Sequence, residues 1–298
     1  MAGKNAETLA EEIKNVIAGF VDNSPGNYCQ LFGGKYFDPP LVGFARGNDT
    51  FFDVVKEQVG PDSMTPGEAL ENSLKGRGLN MQIEPEQVSV ISWSLPISAA
   101  IRERHRGQKD EPCIEWAYTR VYGEEFNMAL RVRVVSWLEA RGYLAVAPFL
   151  LPEFRTIKDP ARRNFTSTWS ERHVAYACGL GTFSLNDALI TARGIAHRLG
   201  SVVVRAVLPE ALRPYSSHME YCIADKGCKS CIKRCPAGAL SPHGHDKVIC
   251  QNWVNFGEKA EARRKRMGVP KTGCGLCQVG VPCEGRIPRK ILTPANGK

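Results

Sequence analysis

The sequence predicts a mixed α/β protein in which a large sheet domain is followed by a small cysteine-rich module. Two observations carry this prediction. A strand, a long helix and a second strand follow one another in the middle of the chain, and cysteines concentrate near its C-terminal end. A strand–helix–strand succession is typical of a layered α/β domain. We expect an N-terminal helix with a mostly irregular cap over 1–86, the α/β domain over 87–215 and the cysteine module over 216–298.

The first elements follow from the spacing of apolar residues. Apolar side chains recur at three- and four-residue steps over 7–20 and predict a helix. Residues 21–85 are rich in Gly, Pro, Asp and Asn, so we expect mostly irregular structure there. Thr65 followed by Pro66 is the exception, because Thr at an N-cap and Pro at the first helical position are typical of a helix start.

The α/β domain itself is predicted from alternating strand and helix signals. An apolar, β-branched run over 87–95 predicts the first strand, and a long apolar stripe over 112–141 predicts a helix. A second strand is expected over 143–147. Two further runs, 188–191 and 201–208, have strand character and complete the domain.

The composition indicates a water-soluble cytoplasmic protein. The chain has 298 residues, of which 43% are hydrophobic and 23% charged. Its N-terminus carries acidic residues where a signal peptide has an apolar run, and no stretch reaches the length of a membrane span. We therefore expect no membrane partner, and a reducing cytoplasm suits the eleven cysteines.

The net charge of +8 is unevenly distributed along the chain. Residues 222–298 contain 15 Lys and Arg against 5 Asp and Glu, a local charge of +10, whereas residues 1–221 carry −2. A basic module attracts an acidic electron donor, such as a reduced ferredoxin or flavodoxin, or a nucleic-acid backbone. A solvated helix face that partly offsets negatively charged clusters is the alternative interpretation.

Eight cysteines carry the strongest chemical signal. The first run reads Y-C-I-A-D-K-G-C-K-S-C-I-K-R-C-P over 221–236, and the second reads G-C-G-L-C-Q-V-G-V-P-C-E over 273–284. Close-spaced cysteines that end in Cys-Pro are the ligand pattern of bacterial iron–sulfur proteins, in which the cysteine before proline ligates the other cluster. With Cys250 between the runs, the eight thiolates match the needs of two four-cysteine [4Fe–4S] clusters.

The crossover of ligands divides these cysteines into two sets. The first set comprises Cys222, Cys228, Cys231 and Cys283, and the second comprises Cys235, Cys250, Cys274 and Cys277. The irregular gaps in both runs leave another pairing open. A zinc site would use two separate pairs and requires neither Cys-Pro nor eight ligands. A disulfide framework is unusual in a chain of this length without a secretory signal.

Two further stretches, taken together with the cysteine pattern, resemble a known family. They read S-E-R-H-V-A-Y-A-C-G-L-G-T-F-S-L-N-D-A-L-I-T over 170–191 and R-L-G-S-V-V-V over 198–204, and W-L-E-A-R-G-Y over 137–143 fits more loosely. Over about residues 87–290 the chain resembles the epoxyqueuosine reductases and reductive dehalogenases, which are cobalamin-dependent iron–sulfur enzymes. The first 85 residues show no such resemblance.

The resemblance implies a nitroreductase-like sandwich domain, with a corrinoid held between it and a bacterial ferredoxin-like module that carries both clusters. Single electrons would pass from the clusters to cobalt. A flavin is the alternative cofactor, because nitroreductase-like scaffolds also bind flavins. Small residues let the backbone approach a large flat macrocycle, although a helix C-cap and a turn also explain the paired glycines. The implied cofactor contacts are Gly179, Leu180, Gly181, Thr182, Phe183, Ser184, Asn186, Gly200 and Ser201.

The sequence departs from that family where a proton donor is expected. Epoxyqueuosine reductases have an aspartate shortly before the Glu-Arg pair, whereas counting back from Glu171 reaches Phe165. A tyrosine delivers a proton when a neighbouring base or cation lowers its pKa. The candidates for this role are Tyr176, His173 and Tyr143. The sequence also shows neither the helical-repeat tail that some members use for tRNA nor the twin-arginine signal of respiratory dehalogenases, so we expect a short variant.

Three functions are consistent with these observations. The first is a cytoplasmic reductase in which two clusters feed a corrinoid that reduces a small or nucleoside-like substrate. The second is an electron-transfer or reductive-activation protein that serves a partner corrinoid protein. The third is tRNA modification, which the basic module favours and the missing aspartate disfavours.

Overall fold

The computed structural model describes residues 2–159 and 164–289. Its helices are α1 (Ala2–Asn23), α2 (Phe51–Val59), α3 (Pro66–Gly76), α4 (Ala99–Arg106), α5 (Ile114–Glu139), α6 (Glu171–Ala177), α7 (Ser230–Lys233), α8 (Lys247–Asn255) and α9 (Glu258–Met267). Its strands are β1 (Tyr28–Cys29), β2 (Gly34–Lys35), β3 (Leu41–Arg46), β4 (Ser89–Pro96), β5 (Ala145–Val146), β6 (Thr156–Asp159), β7 (Asn164–Ser167), β8 (Gly181–Phe183), β9 (Leu189–Thr191), β10 (His197–Val204), β11 (Leu240–Ser241) and β12 (Gly244–His245). Single 3-10 turns lie at Pro25–Asn27, Pro85–Gln87, Pro148–Leu150 and Leu276–Gln278.

A four-stranded antiparallel sheet forms the centre of the main domain, in the order β3–β4–β10–β5. The two central strands pair over their whole length, with Ser89 opposite Val204 and Pro96 opposite His197. Every residue of β4 is buried. A strand that is buried on both faces reads as a nearly continuous apolar run, which is why its position could be predicted.

Helices cover both faces of this sheet. On one face, Trp93 and Val202 pack into a core that includes residues of α1 and α5, such as Ile13 and Leu130. On the other face, Val90 and Val203 pack against residues of α2, α3 and α6, such as Leu70 and Val174. The main domain is therefore a helix–sheet–helix sandwich, in agreement with the predicted mixed α/β class.

The helix predicted from Thr65 and Pro66 begins where the sequence indicates. The Thr65 Oγ1 accepts a hydrogen bond from the Glu68 backbone N–H at 3.3 Å, and the Glu68 carboxylate accepts one from the Thr65 N–H at 2.7 Å. This reciprocal pair is a complete capping box, which satisfies two N–H groups that the first helical turn leaves free.

The expectation of a mostly irregular cap over 21–85 was wrong. This region contains α2 and α3, and β3 forms the edge of the main sheet, with Leu41 opposite Ser94 and Arg46 opposite Ser89. Gly43 interrupts the apolar run of β3, which weakens its strand signal. A Cβ atom at this glycine would lie 2.1 Å from the Cys178 carbonyl oxygen, so close packing against the chain after α6 requires glycine here.

The cysteine module consists of short elements that pack against the main domain. It contains α7, the β11–β12 hairpin and the α8–α9 pair. The Asn186 amide donates a hydrogen bond to the Cys277 carbonyl oxygen at 2.9 Å and so connects the two regions. All eleven cysteines are free thiols. Within the described residues, no helix combines the length and the apolar character that crossing a membrane requires.

Candidate cofactor site

The four cysteines of the first predicted set surround one narrow cavity in the cysteine module. Cys222, Cys228, Cys231 and Cys283 all line it, together with mostly apolar neighbours. Burial, followed by the negative charges of the Cys222 and Cys228 thiolates, raises the pKa of the Cys231 thiol to about 11. Such mutual repulsion is a sign of adjacent thiolates, so the chain brings the distant Cys283 and the first run to one place.

The four cysteines of the second set are likewise neighbours. Burial, followed by the charges of Cys274 and Cys235, raises the pKa of the Cys250 thiol to about 11. Burial, followed by the charges of Cys274, Cys250 and Cys235, raises the pKa of Cys277 well above its ordinary value. The charge of Cys231, from the first set, makes the smallest contribution to this rise in pKa. The two sets therefore lie beside each other.

Local backbone geometry places the second cysteine run against the main domain. Gly275, between Cys274 and Cys277, has a left-handed φ of 66°, which glycine adopts without strain. A Cβ atom on Gly275 would lie 1.9 Å from the Trp116 indole of α5. Glycine is therefore required here on two counts, because the turn lies directly on the aromatic ring.

Cys283 is held through the residue that follows it. The Cys283 carbonyl oxygen accepts a hydrogen bond from the Ile195 N–H at 2.9 Å. The buried Glu284 carboxylate binds the Arg106 guanidinium of α4 at 2.6 Å and lies 3.5 Å from Arg102. Although burial opposes ionisation, the hydrogen bond from Arg106 keeps the pKa of Glu284 below its ordinary value. This ion pair fixes the last cysteine to the main domain.

The donor chemistry of each set fits a [4Fe–4S] cluster. Each set offers four thiols, and these are the groups that ligate such clusters as thiolates. In the part of the chain that the structure describes, no three His, Cys, Asp or Glu side chains converge on a single metal ion. Because the pKa values of the Cys231 and Cys250 thiols are raised, cluster binding has to displace protons from these two cysteines.

A larger cavity, of about 850 Å³, lies between the main domain and the cysteine module. Its volume falls within the usual range of ligand-binding pockets, roughly 300–1,000 Å³. Ser184 lines both this cavity and that of the first cysteine set, so the two adjoin. The wall is rich in aromatic side chains: Phe51, Phe149, Phe154, Phe165, Trp169 and Phe183. A wall of this kind fits a large ring-bearing cofactor, either corrinoid or flavin.

One carboxylate of the cavity wall is held by a buried network. Glu171, the first residue of α6, lies 3.1 Å from the Arg131 guanidinium and accepts a hydrogen bond from the Ser201 hydroxyl at 2.7 Å. Arg131 is 1% exposed and also pairs with Glu124 at 3.1 Å. The Trp169 indole donates to the Ser201 hydroxyl at 2.9 Å. These contacts fix the start of α6 to the sheet and neutralise the Glu171 charge.

A second set of charged residues connects the sheet domain to the cysteine module. The Arg172 guanidinium donates to the Asp187 carbonyl oxygen at 2.6 Å. The Asp187 carboxylate lies 3.3 Å from the Lys247 ammonium and 3.4 Å from the His245 ring. Burial opposes its ionisation, but the His245 hydrogen bond and the Lys247 and Arg172 charges hold the pKa of Asp187 below its ordinary value. Asp187 therefore joins the main domain to the start of α8.

Of the three predicted proton donors, the structure brings only His173 to the cavity wall. Burial, followed by the Arg172 and Lys247 charges, lowers the pKa of His173 to about 4, so its ring is neutral at neutral pH. Its Nδ1 atom lies 2.7 Å from the Ser170 hydroxyl. Tyr176 packs behind the wall, with its ring 5.8 Å from that of Phe183. Tyr143 packs against the core on the α1 and α5 side of the sheet.

The predicted glycine contacts have a packing role that the sequence did not reveal. A Cβ atom would lie 2.6 Å from the Leu212 carbonyl oxygen at Gly179, and 2.0 Å from the Ile190 carbonyl oxygen at Gly181. At Gly200 it would lie 2.6 Å from the Trp93 ring. These glycines are not among the residues that line the cavity. Contact between them and a macrocycle stays a prediction.

The other predicted cofactor residues connect the two regions or line a cavity. Phe183 and Ser184 line the large cavity, and Asn186 lines that of the first cysteine set. The Thr182 hydroxyl accepts a hydrogen bond from the Tyr221 N–H at 2.9 Å, just before Cys222. Leu180 belongs to the core on the α6 side of the sheet. The stretch 180–186 thus lies mainly at the interface between the sheet domain and the cysteine module.

Sequence reasoning missed the charged residues of the cavity. Arg172 and Asp187 lie within the stretch that resembles the family, and Lys247 precedes Cys250 by three residues. These residues come together because α6, α8 and the turn that follows β8 pack against one another. The spacing of residues in the sequence does not predict this packing. The one available signal was the family resemblance around Glu171 and Arg172.

Comparison with known proteins gives matches among solved structures alone. No protein-family model and no curated protein matches the sequence. The chain is similar to an epoxyqueuosine reductase from Streptococcus thermophilus, with a TM-score of 0.50 and 15% identity over 96% of this chain and 69% of that one. It is also similar to a Bacillus subtilis epoxyqueuosine reductase, with a TM-score of 0.48 and 16% identity over 95% of this chain and 67% of that one.

A catabolic reductive dehalogenase in complex with 3-bromo-4-hydroxybenzoic acid is similar as well, with a TM-score of 0.49 and 16% identity over 94% of this chain and 37% of that one. The chain spans about two thirds of the length of the epoxyqueuosine reductases that it matches. It has their fold, as the resemblance in the sequence predicted.

Proposed function

We propose that this chain is an iron–sulfur oxidoreductase in which eight cysteines hold two [4Fe–4S] clusters. In this proposal the 850 Å³ cavity holds a corrinoid, at which a small or nucleoside-like substrate is reduced. The observation that carries the proposal is the grouping of the cysteines. They form two neighbouring sets of four, and the cavity of the first set adjoins the large cavity at Ser184.

The two structural regions have separate tasks in this proposal. We assign the nitroreductase-like sandwich to the sheet domain, extended by β3 beyond the boundary predicted at residue 87. We assign the ferredoxin-like module to the described residues from 216 onward. When bound, the clusters supply single electrons and the corrinoid supplies the metal centre of the reduction. The protein orients these groups and excludes water through the aromatic wall.

His173 is the candidate for handling a proton inside the cavity. Its low pKa of about 4 rules out a permanently charged imidazolium at neutral pH, so it acts as a neutral hydrogen-bonding group held by Ser170. Phe165 and Thr166 line the cavity at the place where the family resemblance puts an aspartate. The protein therefore has no carboxylate at that point, which favours a reaction other than the reduction of epoxyqueuosine.

The electron donor is proposed to be an acidic carrier such as a reduced ferredoxin or flavodoxin. The local charge of +10 over residues 222–298 supports this choice, because opposite charges steer such encounters. Raising the ionic strength should slow cluster reduction by the protein donor and leave reduction by dithionite unchanged. Salt-dependent binding of tRNA, with a slope of several phosphates, would instead favour a nucleic-acid substrate.

Cofactor stoichiometry on anaerobically purified protein tests the proposal. Iron and sulfide are counted, and cobalamin is then titrated while the visible spectrum and the cobalt EPR signal are recorded. The proposal predicts about eight irons and one tightly held corrinoid per chain. Eight irons without uptake of corrinoid or flavin would contradict it and favour an electron-transfer protein that serves a partner.

A further inference from the structure

Two cations in the cavity wall share a single counter-charge. The partly buried Arg172 guanidinium donates one hydrogen bond, to the Asp187 carbonyl oxygen. Among the described residues, no carboxylate lies within ion-pair distance of this guanidinium, and Asp187 acts on it only at longer range. Lys247 lies 3.3 Å from the Asp187 carboxylate. Both cations line the 850 Å³ cavity.

The other charges nearby are already compensated. Glu171 is held by Arg131 and Ser201, so it does not serve Arg172. His173 is neutral at neutral pH. Among the described residues of the wall, Arg172 and Lys247 against Asp187 therefore leave one positive charge. Burial lowers the pKa of Arg172, which shows that its surroundings disfavour an unpaired cation.

We propose that Arg172 and Lys247 form a subsite for one phosphate ester group on the molecule that occupies the cavity. This inference rests on the proposed function. A guanidinium offers a planar fork of donors to such a group, and an ammonium offers a compact charge beside it. Asp187 positions both cations, through its carbonyl oxygen for Arg172 and its carboxylate for Lys247.

The anionic group has two sources with the same chemistry. Cobalamin carries a phosphodiester in its nucleotide loop, and a nucleotide-like substrate carries a phosphate of its own. Matched ligand pairs separate these sources. Cobinamide lacks the nucleotide loop of cobalamin, and guanosine lacks the phosphate of guanosine 5′-monophosphate. Each pair isolates the contribution of the phosphate-bearing part.

The experiment measures the affinities of these four ligands for the anaerobically purified, cluster-containing protein and its variants. The variants are Arg172→Met and Lys247→Met, with Arg172→Lys as the charge-conserving change. Lys259→Met, on the exposed side of α9, is the matched control. Iron content and the thermal unfolding midpoint are recorded for each variant, so that a folding defect is recognised.

The proposal predicts a loss of about 10- to 100-fold for the phosphate-bearing member of one pair and little change for its phosphate-free partner. A loss for cobalamin assigns the subsite to the cofactor, and a loss for guanosine 5′-monophosphate assigns it to the substrate. Arg172→Lys should recover part of the affinity, and Lys259→Met should match the unmodified protein.

Unchanged affinities in both pairs would overturn the subsite. Equal losses of affinity for phosphate-bearing and phosphate-free ligands would overturn it as well. Such a result would show that the substitution damages the whole cavity and does not remove a specific partner of the phosphate. Failure of the unmodified protein to bind any corrinoid contradicts the proposed function separately, and the nucleotide pair then still decides whether the subsite exists.

Discussion

The sheet domain and the cysteine module are stabilised by different means. The sheet domain buries apolar side chains on both faces of β4 and β10. The described part of the module, residues 216–289, consists of short elements with few buried apolar side chains: Ile223, Ala239, Leu240, Ala260, Met267, Val269, Leu276 and Val279. A segment that buries so little apolar surface needs bound groups or a neighbour to fold. We therefore expect the module to depend on the proposed clusters and on the sheet domain.

Contacts with the sheet domain stabilise the cysteine module. Arg234 of the module donates to the Gln108 carbonyl oxygen at 2.8 Å and to the Arg106 carbonyl oxygen at 3.4 Å. Glu284 binds Arg106, and the turn at Gly275 lies on Trp116. These contacts converge on α4, α5 and the loop between them. The sheet domain thus provides the surface on which the module packs.

Removal of iron should have the largest effect. Chelation under anaerobic conditions should raise amide hydrogen exchange in residues 222–284 to nearly that of an unfolded chain, because the eight ligands lose their common partners. Exchange in β4 and β10 should change little, since their core contains no predicted ligand. Hydrogen exchange with mass spectrometry makes this measurement. Equal loss of protection in both regions would contradict the difference in stabilisation.

Adding a methyl group to Gly275 should separate the two regions locally. Gly275→Ala places a Cβ atom 1.9 Å from Trp116, so we expect a loss of about 2–4 kcal/mol in the stability of the module and reduced iron content. Gly268→Ala is the matched control, because Gly268 has nearly the same left-handed φ, of 64°, and no described atom lies within 4 Å of its Cβ position. Equal losses in the two variants would show that backbone strain alone accounts for the effect.

Neutralising Glu284 should weaken the hold on Cys283. Glu284→Gln leaves Arg106 and Arg102 without their shared anion, and we expect a loss of about 1–3 kcal/mol, since Arg106 is partly exposed to solvent. The EPR spectrum of the reduced protein should change for one cluster and keep the signal of the other. Glu258→Gln, on the exposed start of α9, should leave both signals as they are.

Acid should destabilise the sheet domain through His197, with the smallest effect of the four. Burial lowers the pKa of His197 to about 4, from an ordinary value of 6.5, although its bond to the Leu189 carbonyl oxygen opposes this shift. The unfolded chain then binds more protons, so stability falls as the pH drops below 6.5. We expect a loss of about 1 kcal/mol between pH 7 and pH 5.5 from this group.

Denaturant unfolding followed by tryptophan fluorescence measures this acid sensitivity. His197→Gln should reduce the pH dependence by that amount. An unchanged slope would show that His197 titrates normally in the folded protein.

The two regions also differ in how far the sequence predicts them. Cysteine spacing alone predicted the two sets, and Cys283 was placed with Cys222 because the Cys-Pro run implies a crossover. Both cysteines line the same cavity. The strand β4 and the second half of β10, over 201–204, were predicted because burial on both faces gives continuous apolar runs. The first half of β10 was missed because it contains His197 and Arg198, and the predicted residues 205–208 lie outside the strand. The edge strand β3 was missed because Gly43 interrupts its apolar pattern. This glycine is required by close packing against Cys178, a residue far away in the sequence.

The cavity could be predicted only in outline. Phe51, Phe154 and Lys247 come from three separate segments, and their meeting depends on packing between helices and loops. His173 was placed in the site from a resemblance, whereas Tyr143 was assigned to it and lies on the opposite side of the sheet. Single residue types such as tyrosine carry no positional information by themselves. The glycines are a similar case. Gly181 was predicted as a cofactor contact, whereas the structure shows that close packing against Ile190 requires glycine there.

The most direct test of the account is the iron content of the double variant Cys222→Ser, Cys283→Ser. The account assigns both cysteines to the first set, so this variant should lose one cluster and retain about four irons, as each single variant should. If instead the ligands follow chain order, the two cysteines belong to different clusters, and the double variant retains almost no iron. About four irons with the EPR signal of one intact cluster would support the crossover, and near-zero iron would contradict it.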